Sequence, residues 1–553
     1  MRKYIFILTL CLLCQIASEA QQPFLSVTDK PYGSSPKREV RAVWLTTIGG
    51  LDWPHSYSQS TRSAEKQQEE LRLTLDQYRR AGINTILLQT RIRATTLYPS
   101  VYEPWDGCLS GFPGKSPGYD ALKFAIDECH KRGMEIQAWV VTLPVGKWNA
   151  LGCKRLRKKF PGLIRRIGSD GYMNPEDPRT ARYLADFCEE ITRTYDIDGI
   201  HLDYIRYPEK WPLKVSREEG RRNITAIVRA IHDRVKAIKP WVKMSCSPVG
   251  KFDDLSRYWS HGWNAYTKVC QDAQGWLRDG LMDQLYPMMY FRGDQFFPFA
   301  IDWQEQSHGR TVVPGLGIYF LSPKEGNWQL DDVTREMQVL REYGMGHAYF
   351  RGQFLTDNTQ GILDFVSQFD RQPALVPAMT WENSFVPDAP ENIKVSAQSL
   401  KWSGSTPYYN VYASRTYPVD INNGANLIAA RIPTTMLQVP TVGRFFAVTG
   451  MDHYGNESQP LQSHSAPDTI ITKGPGLLPC DGKQMILPPK PAGLDAELVT
   501  VETLQGAIVA TLPYRSDRIY VAAIPDGFYM VRSLNRKGVS HRIGYLKKST
   551  QVQ

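Results

Sequence analysis

The 553 residues carry a formal charge of +10, with 42% hydrophobic and 22% charged side chains. A chain this long exceeds one core of roughly 250–300 residues, and this composition is too apolar for a disordered polymer. Several globular domains are expected, and the mild basic balance comes without any recognisable nucleic-acid-binding module.

The N-terminus reads as an export signal. Arg2 and Lys3 precede an apolar stretch over residues 4–13, and Ser18-Glu-Ala20 offers a small-x-small cleavage site, so residues 1–20 are assigned as a signal peptide. About ten apolar residues are too few to span a bilayer, which needs ~20, and no transmembrane helix is expected. The protein is therefore placed in the periplasm, cell envelope or extracellular space. Cys14 offers the rival of a lipid anchor, although Leu13 suits that processing poorly. Losing Arg2, Lys3 and Glu19 lowers the charge by one, to +9. Two of nine cysteines lie in this segment; the other seven are scattered and read as small core residues. The basic run over residues 154–166 could attract acidic polymers, but it reads more simply as a solvated helix face.

From residue 40 to about 370, short β-rich apolar runs alternate with amphipathic helical stretches. The runs cover residues 40–47, 84–89, 134–141, 197–203, 242–247, 284–291, 312–318 and 346–350. Helices are predicted over about 64–80, 119–132, 217–238, 331–343 and 361–369. Eight strand–helix units predict an α/β fold, a (β/α)8 TIM barrel over residues 36–371. Beyond Arg371 the pattern becomes short alternating strands. Leu400-Lys-Trp402, Tyr409-Asn-Val-Tyr412 and Asp452-His-Tyr-Gly-Asn456-Glu-Ser458 resemble a fibronectin type III sandwich over 388–463. A Gly/Pro-rich linker over 464–491 leads to a small C-terminal β domain, 492–550. Its Asp526-Gly-Phe-Tyr-Met-Val-Arg532 and Gly544-Tyr-Leu-Lys-Lys548 look like the tails of secreted Bacteroidetes proteins.

The most informative stretch is Asp198-Gly-Ile-His-Leu-Asp203-Tyr204-Ile-Arg206-Tyr-Pro208. An apolar run that ends in a carboxylate reads as a buried parallel strand, and barrels display working groups at such carboxyl ends. Asp203 is the first catalytic candidate, suited to nucleophile or ion-stabilising duty, with Arg206 placed to hold it ionised. Asp198, at the entry end, reads as structural. Acid–base chemistry carried by carboxyl groups needs a second one. Asp294 after the sixth run and Glu103 in the second loop are candidates, with Asp52 a rival. Trp44, Trp105, Trp139, Tyr204 and Tyr290 could stack on sugar rings; Trp53, Tyr98 and Tyr349 share that position. Gln89 and Arg91 are expected to emerge together as polar contacts, an arginine that would suit a glycan bearing carboxylates. The ten histidines show no metal-ligand spacing, so a cofactor-free mechanism is the default.

The order Arg38-Glu-Val-Arg-Ala-Val-Trp44, Asn84-Thr-Ile-Leu-Leu-Gln89-Thr-Arg91, Tyr98-Pro-Ser, Glu103-Pro-Trp105, Gln137-Ala-Trp139, Met173-Asn-Pro175 and Asp198 to Tyr204 resembles the glycosyl-hydrolase-like family 10, over roughly residues 36–370. The resemblance implies a barrel glycosidase acting on peptidoglycan glycan or a similar polysaccharide. The sequence departs from the family pattern at two strands. Gln137 stands where a histidine is usual, with Val141-Thr-Leu-Pro144 in place of Asn-Pro-Tyr-Arg, and Pro287-Met-Met-Tyr-Phe291 stands where Pro-Gln-x-Tyr-Trp is usual. These departures predict lost polar contacts near Asp203. The rival reading is a non-catalytic carbohydrate-binding or envelope scaffold protein; a deacetylase or lyase on the same scaffold has no metal-ligand spacing to support it.

Overall fold

A computed structural model describes residues 36–463, 476–488 and 497–548, apart from 397, 440, 442–443, 505, 515 and 536–539. The expected signal peptide, with Cys11 and Cys14, lies outside the described residues, as does most of the linker. Contacts divide the chain near Glu382 into two compact units.

The first unit is an eight-stranded parallel barrel. Its strands are β1 (Arg41–Leu45), β2 (Thr85–Arg91), β3 (Glu135–Val141), β4 (Gly199–Asp203), β5 (Lys243–Cys246), β6 (Gln284–Leu285 and Met288–Met289), β7 (Thr311–Val312 and Gly315–Leu316) and β8 (His347–Tyr349). Each pairs in parallel with the next, and β8 closes the ring on β1 through Arg41–His347, Ala42–Ala348 and Val43–Tyr349. A helix follows every strand: Thr61–Arg80, Ala121–Lys131, Pro178–Thr194, Arg217–Lys236, Ala273–Arg278, Phe297–Glu305, Leu330–Glu342 and Ile362–Phe369. The (β/α)8 reading is thus realised. The two continuous runs predicted for β6 and β7 are each broken at a proline, Pro287 and Pro314, which has no N–H to give to a ladder.

Strand alternation sorts the side chains. Val43, Leu45, Ile86, Leu88, Ile136 and Ile200 face the helices, while Trp44, Leu87, Trp139, Tyr286 and Ala348 fill the barrel. Both faces are covered, so β2 and β3 are buried along their full length. Part of the interior is polar. Trp44 donates to His201 at 3.2 Å, His201 Nδ1 meets Ser245 Oγ at 2.9 Å, and Ser245 donates to Gln137 at 2.6 Å. Gln137 in turn donates to Gln284 at 2.8 Å. Gly199 is required here, because a Cβ would lie 2.8 Å from the Gln137 side chain. Between β3 and β4 the chain inserts a small antiparallel sheet, Pro144–Lys147, Asp170–Met173 and Ile164–Ile167, around the Leu151–Lys159 helix. That sheet was not foreseen in the sequence.

The second unit is all-β. Seven strands form two antiparallel sheets of three and four strands, with Leu400, Trp402, Tyr409, Val411, Phe446 and Val448 in a shared core. A further four-stranded sheet includes Gly527–Leu534 paired with Ser540–Lys548. The seven cysteines from Cys108 to Cys480 are free thiols, six of them buried.

Candidate active site

At the carboxyl end of the barrel a cleft of about 610 Å³ opens above β3, β4 and β8. Asp203, the last residue of β4, lies at its floor and is buried. Its parity follows from β4: Gly199, His201 and Asp203 alternate inward, so the carboxyl enters the barrel mouth. Three neutral donors hold it. Tyr204 N–H and Ser247 Oγ reach Oδ1 at 2.8 and 2.9 Å, and Trp139 Nε1 reaches Oδ2 at 3.0 Å. Tyr204 takes a left-handed φ of 52°, a conformation costing an L-residue roughly 1–2 kcal/mol, and so turns its N–H onto the carboxyl. Burial pushes the Asp203 carboxyl above its ordinary value, against the lowering influence of these three donors and of Arg206.

Arg206 does not grip Asp203. It ion-pairs with Glu209 at 2.7 Å, lies over the Tyr204 ring at 4.8 Å, and acts on Asp203 through its charge. Trp139, Tyr204, Tyr290 and Gln89 all line the cleft with Asp203. Tyr290 stacks on Phe350 with ring centres 5.2 Å apart, forming an aromatic wall. Gln89 presents its carbonyl oxygen to the backbone N–H groups of Thr47 and Ile48, at 3.1 and 2.9 Å.

Other candidates lie elsewhere. Arg91 was expected beside Gln89, but the register slips between them, so Gln89 opposes Trp139 while Arg91 opposes Val140. A bulge turns the next side chains to the other face. Arg91 is fully buried and grips Glu103 at 2.6 Å, and Tyr183 donates to the same carboxylate at 2.9 Å. Glu103 is thereby closed off from the cleft. Asp294 is exposed on the short turn Gly293–Gln295 and is not part of the cleft wall. Asp52 is buried against Arg351 at 2.6 Å and accepts the Thr46 and Gln353 N–H groups. Trp44 belongs to the barrel interior, and Trp105 packs against the apolar core. Trp53, Tyr98 and Tyr349 are likewise core residues. Asp198 accepts from Ile136 N–H and meets His130 at 2.9 Å, at the entry end.

Sequence reasoning missed the inserted sheet's contribution. It brings Lys147, Asp170 and Tyr172 into the cleft wall, and Arg93 enters from the second loop. Asp170 faces Lys147 across two strands, 3.1 Å away. The one available signal was the run Ser169-Asp-Gly-Tyr172 just before the motif at Met173. Gln137, the departure from the family pattern, points into the barrel network rather than the cleft. It substitutes one interior hydrogen-bonding group for another.

Glu39, His347 and Asp370 cluster closely enough to suggest a metal site. Two guanidinium groups already occupy the charge-balancing positions. Arg41 lies 2.7 Å from Glu39 and 3.2 Å from Asp370, and Arg341 lies 2.6 Å from Asp370. A cation there would meet two arginines, so the cluster fits an ion-pair network rather than a metal centre.

A family model described as glycosyl hydrolase-like 10 matches residues 39–219 and 216–320. Glycosyl hydrolase YngK of Bacillus subtilis (strain 168) is 30% identical over 424 residues, covering 68% of this chain and 82% of its own. Glycosyl hydrolase DigH of Escherichia coli (strain K12) is 28% identical over 389 residues, 61% of this chain and 88% of its own. Among solved structures, the PgaB (BpsB) glycoside hydrolase domain from Bordetella bronchiseptica is 12% identical with a TM-score of 0.42, covering 60% of this chain and 98% of that one.

Proposed function

The chain belongs to the glycosyl hydrolase-like 10 family, and from that membership we propose that it is an exported glycoside hydrolase cleaving O-glycosidic bonds in a cell-wall or related polysaccharide. The observation that carries this reading is Asp203, a buried carboxyl at the end of β4 that opens into an aromatic-lined cleft. Among the described residues no Lys or Arg lies within ion-pair distance of it, so its carboxyl is left able to exchange a proton rather than held by a partner charge. Trp139 and Ser247 fix its orientation, as preorganised acid–base groups require. Tyr204, Tyr290 and Phe350 offer apolar faces for sugar rings. The three-plus-four strand arrangement supports reading residues 388–463 as a fibronectin type III-like module. The N-terminal segment supports export.

The test is to incubate the full chain with peptide-stripped peptidoglycan strands and with a panel of plant and host polysaccharides, scoring new reducing ends. Wild type is expected to release them. Asp203→Ala should reduce release by at least about 10²-fold, whereas Asp198→Asn, altered at the entry end, should retain it. Glycan binding without cleavage by the wild type would overturn this reading in favour of a carbohydrate-binding protein.

A further inference from the structure

Resting on that reading, we propose that Asp170, carried into the cleft wall by the inserted sheet, is the second catalytic carboxylate, working as base while Asp203 works as acid. Both carboxyl groups line the same cleft, one from a barrel strand and the other from a separate hairpin. Glu103 is locked onto the buried Arg91 and Asp52 onto Arg351, and Asp294 stands outside the cleft wall.

The surroundings of the two groups differ in the sense the chemistry needs. Lys147 Nζ and Ser169 Oγ both reach Asp170 Oδ2, each at 3.1 Å, and Lys147 also donates to Ser169 at 3.0 Å. Among the described residues none donates to Oδ1, which is left to meet a water. Asp170 is only partly buried. Although burial raises its carboxyl, Lys147, Ser169 and Arg93 outweigh that and hold it below the ordinary value. Asp203 is shifted the opposite way by its burial. Paired carboxyls driven apart in this manner divide into an acid and a base. Among the described residues Asp203 Oδ2 accepts only the Trp139 hydrogen bond, which leaves it room for a proton.

In the step itself, the proton on Asp203 passes to the glycosidic oxygen as that oxygen's bond to the anomeric carbon breaks. A water supplies its oxygen to the anomeric carbon and its proton to Asp170. One glycoside and one water become two sugars, and the proton now on Asp170 returns to Asp203 through solvent.

The experiment compares wild type, Asp170→Asn, Asp203→Asn and Lys147→Met as full chains, on the cleaved glycan and on an aryl glycoside with a strongly acidic phenol leaving group. Asp170→Asn is expected to lose about 10²–10⁴-fold in kcat/KM on both substrates, with an unchanged Tm and without the acidic limb of the pH profile. Asp203→Asn should lose as much on the glycan but recover to within about tenfold on the aryl glycoside, which needs no protonation. Lys147→Met should move the acidic limb to higher pH, since it removes the cation that keeps Asp170 ionised. Asp170→Asn turning over within threefold of wild type, or losing rate while keeping the acidic limb, overturns the assignment and leaves the glycosidase reading standing. A wild type that cleaves neither substrate overturns both.

Discussion

The barrel buries its entry-end carboxylates and Asp203 in opposite ways. At the entry end each has a cation or imidazole beside it: Glu39 and Asp370 share Arg41 and Arg341, Glu135 meets Lys243 at 2.9 Å, Asp283 meets Lys236 at 2.8 Å, and Asp198 meets His130. At the exit end, among the described residues, Asp203 receives only neutral hydrogen-bond donors. The consequences for proton affinity diverge. Burial alone would raise Asp370, but Arg41, His347 and Arg341 bring it down to about 2, whereas Asp203 stays raised. A carboxylate buried away from the cleft and neutralised in place holds structure together. One left without a partner charge destabilises its ionised form and can exchange a proton with a substrate.

The comparison breaks most severely at Asp370. Asp370→Ala leaves the buried Arg41 and the half-buried Arg341 with half their countercharge, and should cost about 3–5 kcal/mol of barrel stability in denaturant titrations. Any folded fraction should keep its turnover per molecule. The same network sets an acid limit. Because the folded value of Asp370 lies below the unfolded value near 3.9, its contribution is intact above about pH 4 and is lost as pH falls towards about 2. His201 acts at higher pH. Burial pushes its imidazole down to about 3, so it is neutral in the fold while the unfolded chain takes up a proton below about pH 6.5. Stability should therefore decline from about pH 6.5 downward, and His201→Gln should flatten that upper part of the curve while leaving the Asp370 part in place. A wild-type denaturation midpoint flat from pH 7 to pH 4 would contradict the His201 account.

A smaller effect is expected at Trp44. Trp44→Phe strands the buried His201 Nε2 without its donor, at a cost of about 1–3 kcal/mol. Cleavage should stay within about twofold of wild type, measured as kcat/KM on the glycan. A tenfold loss would return Trp44 to the sugar-binding surface where its place on β1 first put it. This residue shows what was legible in the sequence and what was not. Short β-rich apolar runs revealed all eight strands, because a parallel barrel strand is covered on both faces and looks the same from either. That same uniformity hides which side a residue faces. Trp44 and Trp139 both point inward, but Trp44 lies level with Leu87 and Gln137, one layer below Trp139, and Trp139 is the one that reaches the cleft. Arg91 was misplaced for a different reason: a one-residue bulge after Gln89 reverses the alternation, and no single residue in that run announces it. Asp170 was invisible because loop residues carry no periodicity, and it reaches the cleft only through the pairing of a hairpin with Pro144–Lys147.

The finest test of the contrast lies in the hydrogen bonds that replace a cation at Asp203. Trp139→Phe keeps an aromatic ring in the cleft wall and removes one donor to Oδ2. That donor favours the ionised carboxylate, so its loss should raise the Asp203 carboxyl further. With Asp203 as the acid, the alkaline limb of kcat/KM marks its deprotonation and should move to higher pH, while the acidic limb set by Asp170 stays where it was. With the roles exchanged, the acidic limb would move up and the alkaline limb would not. One hydrogen bond to a charged group is of order 1.5 kcal/mol, so the displacement will be small beside the loss in Asp203→Asn. Its direction alone decides between the two assignments, because removing a donor can only make the carboxyl hold its proton more tightly.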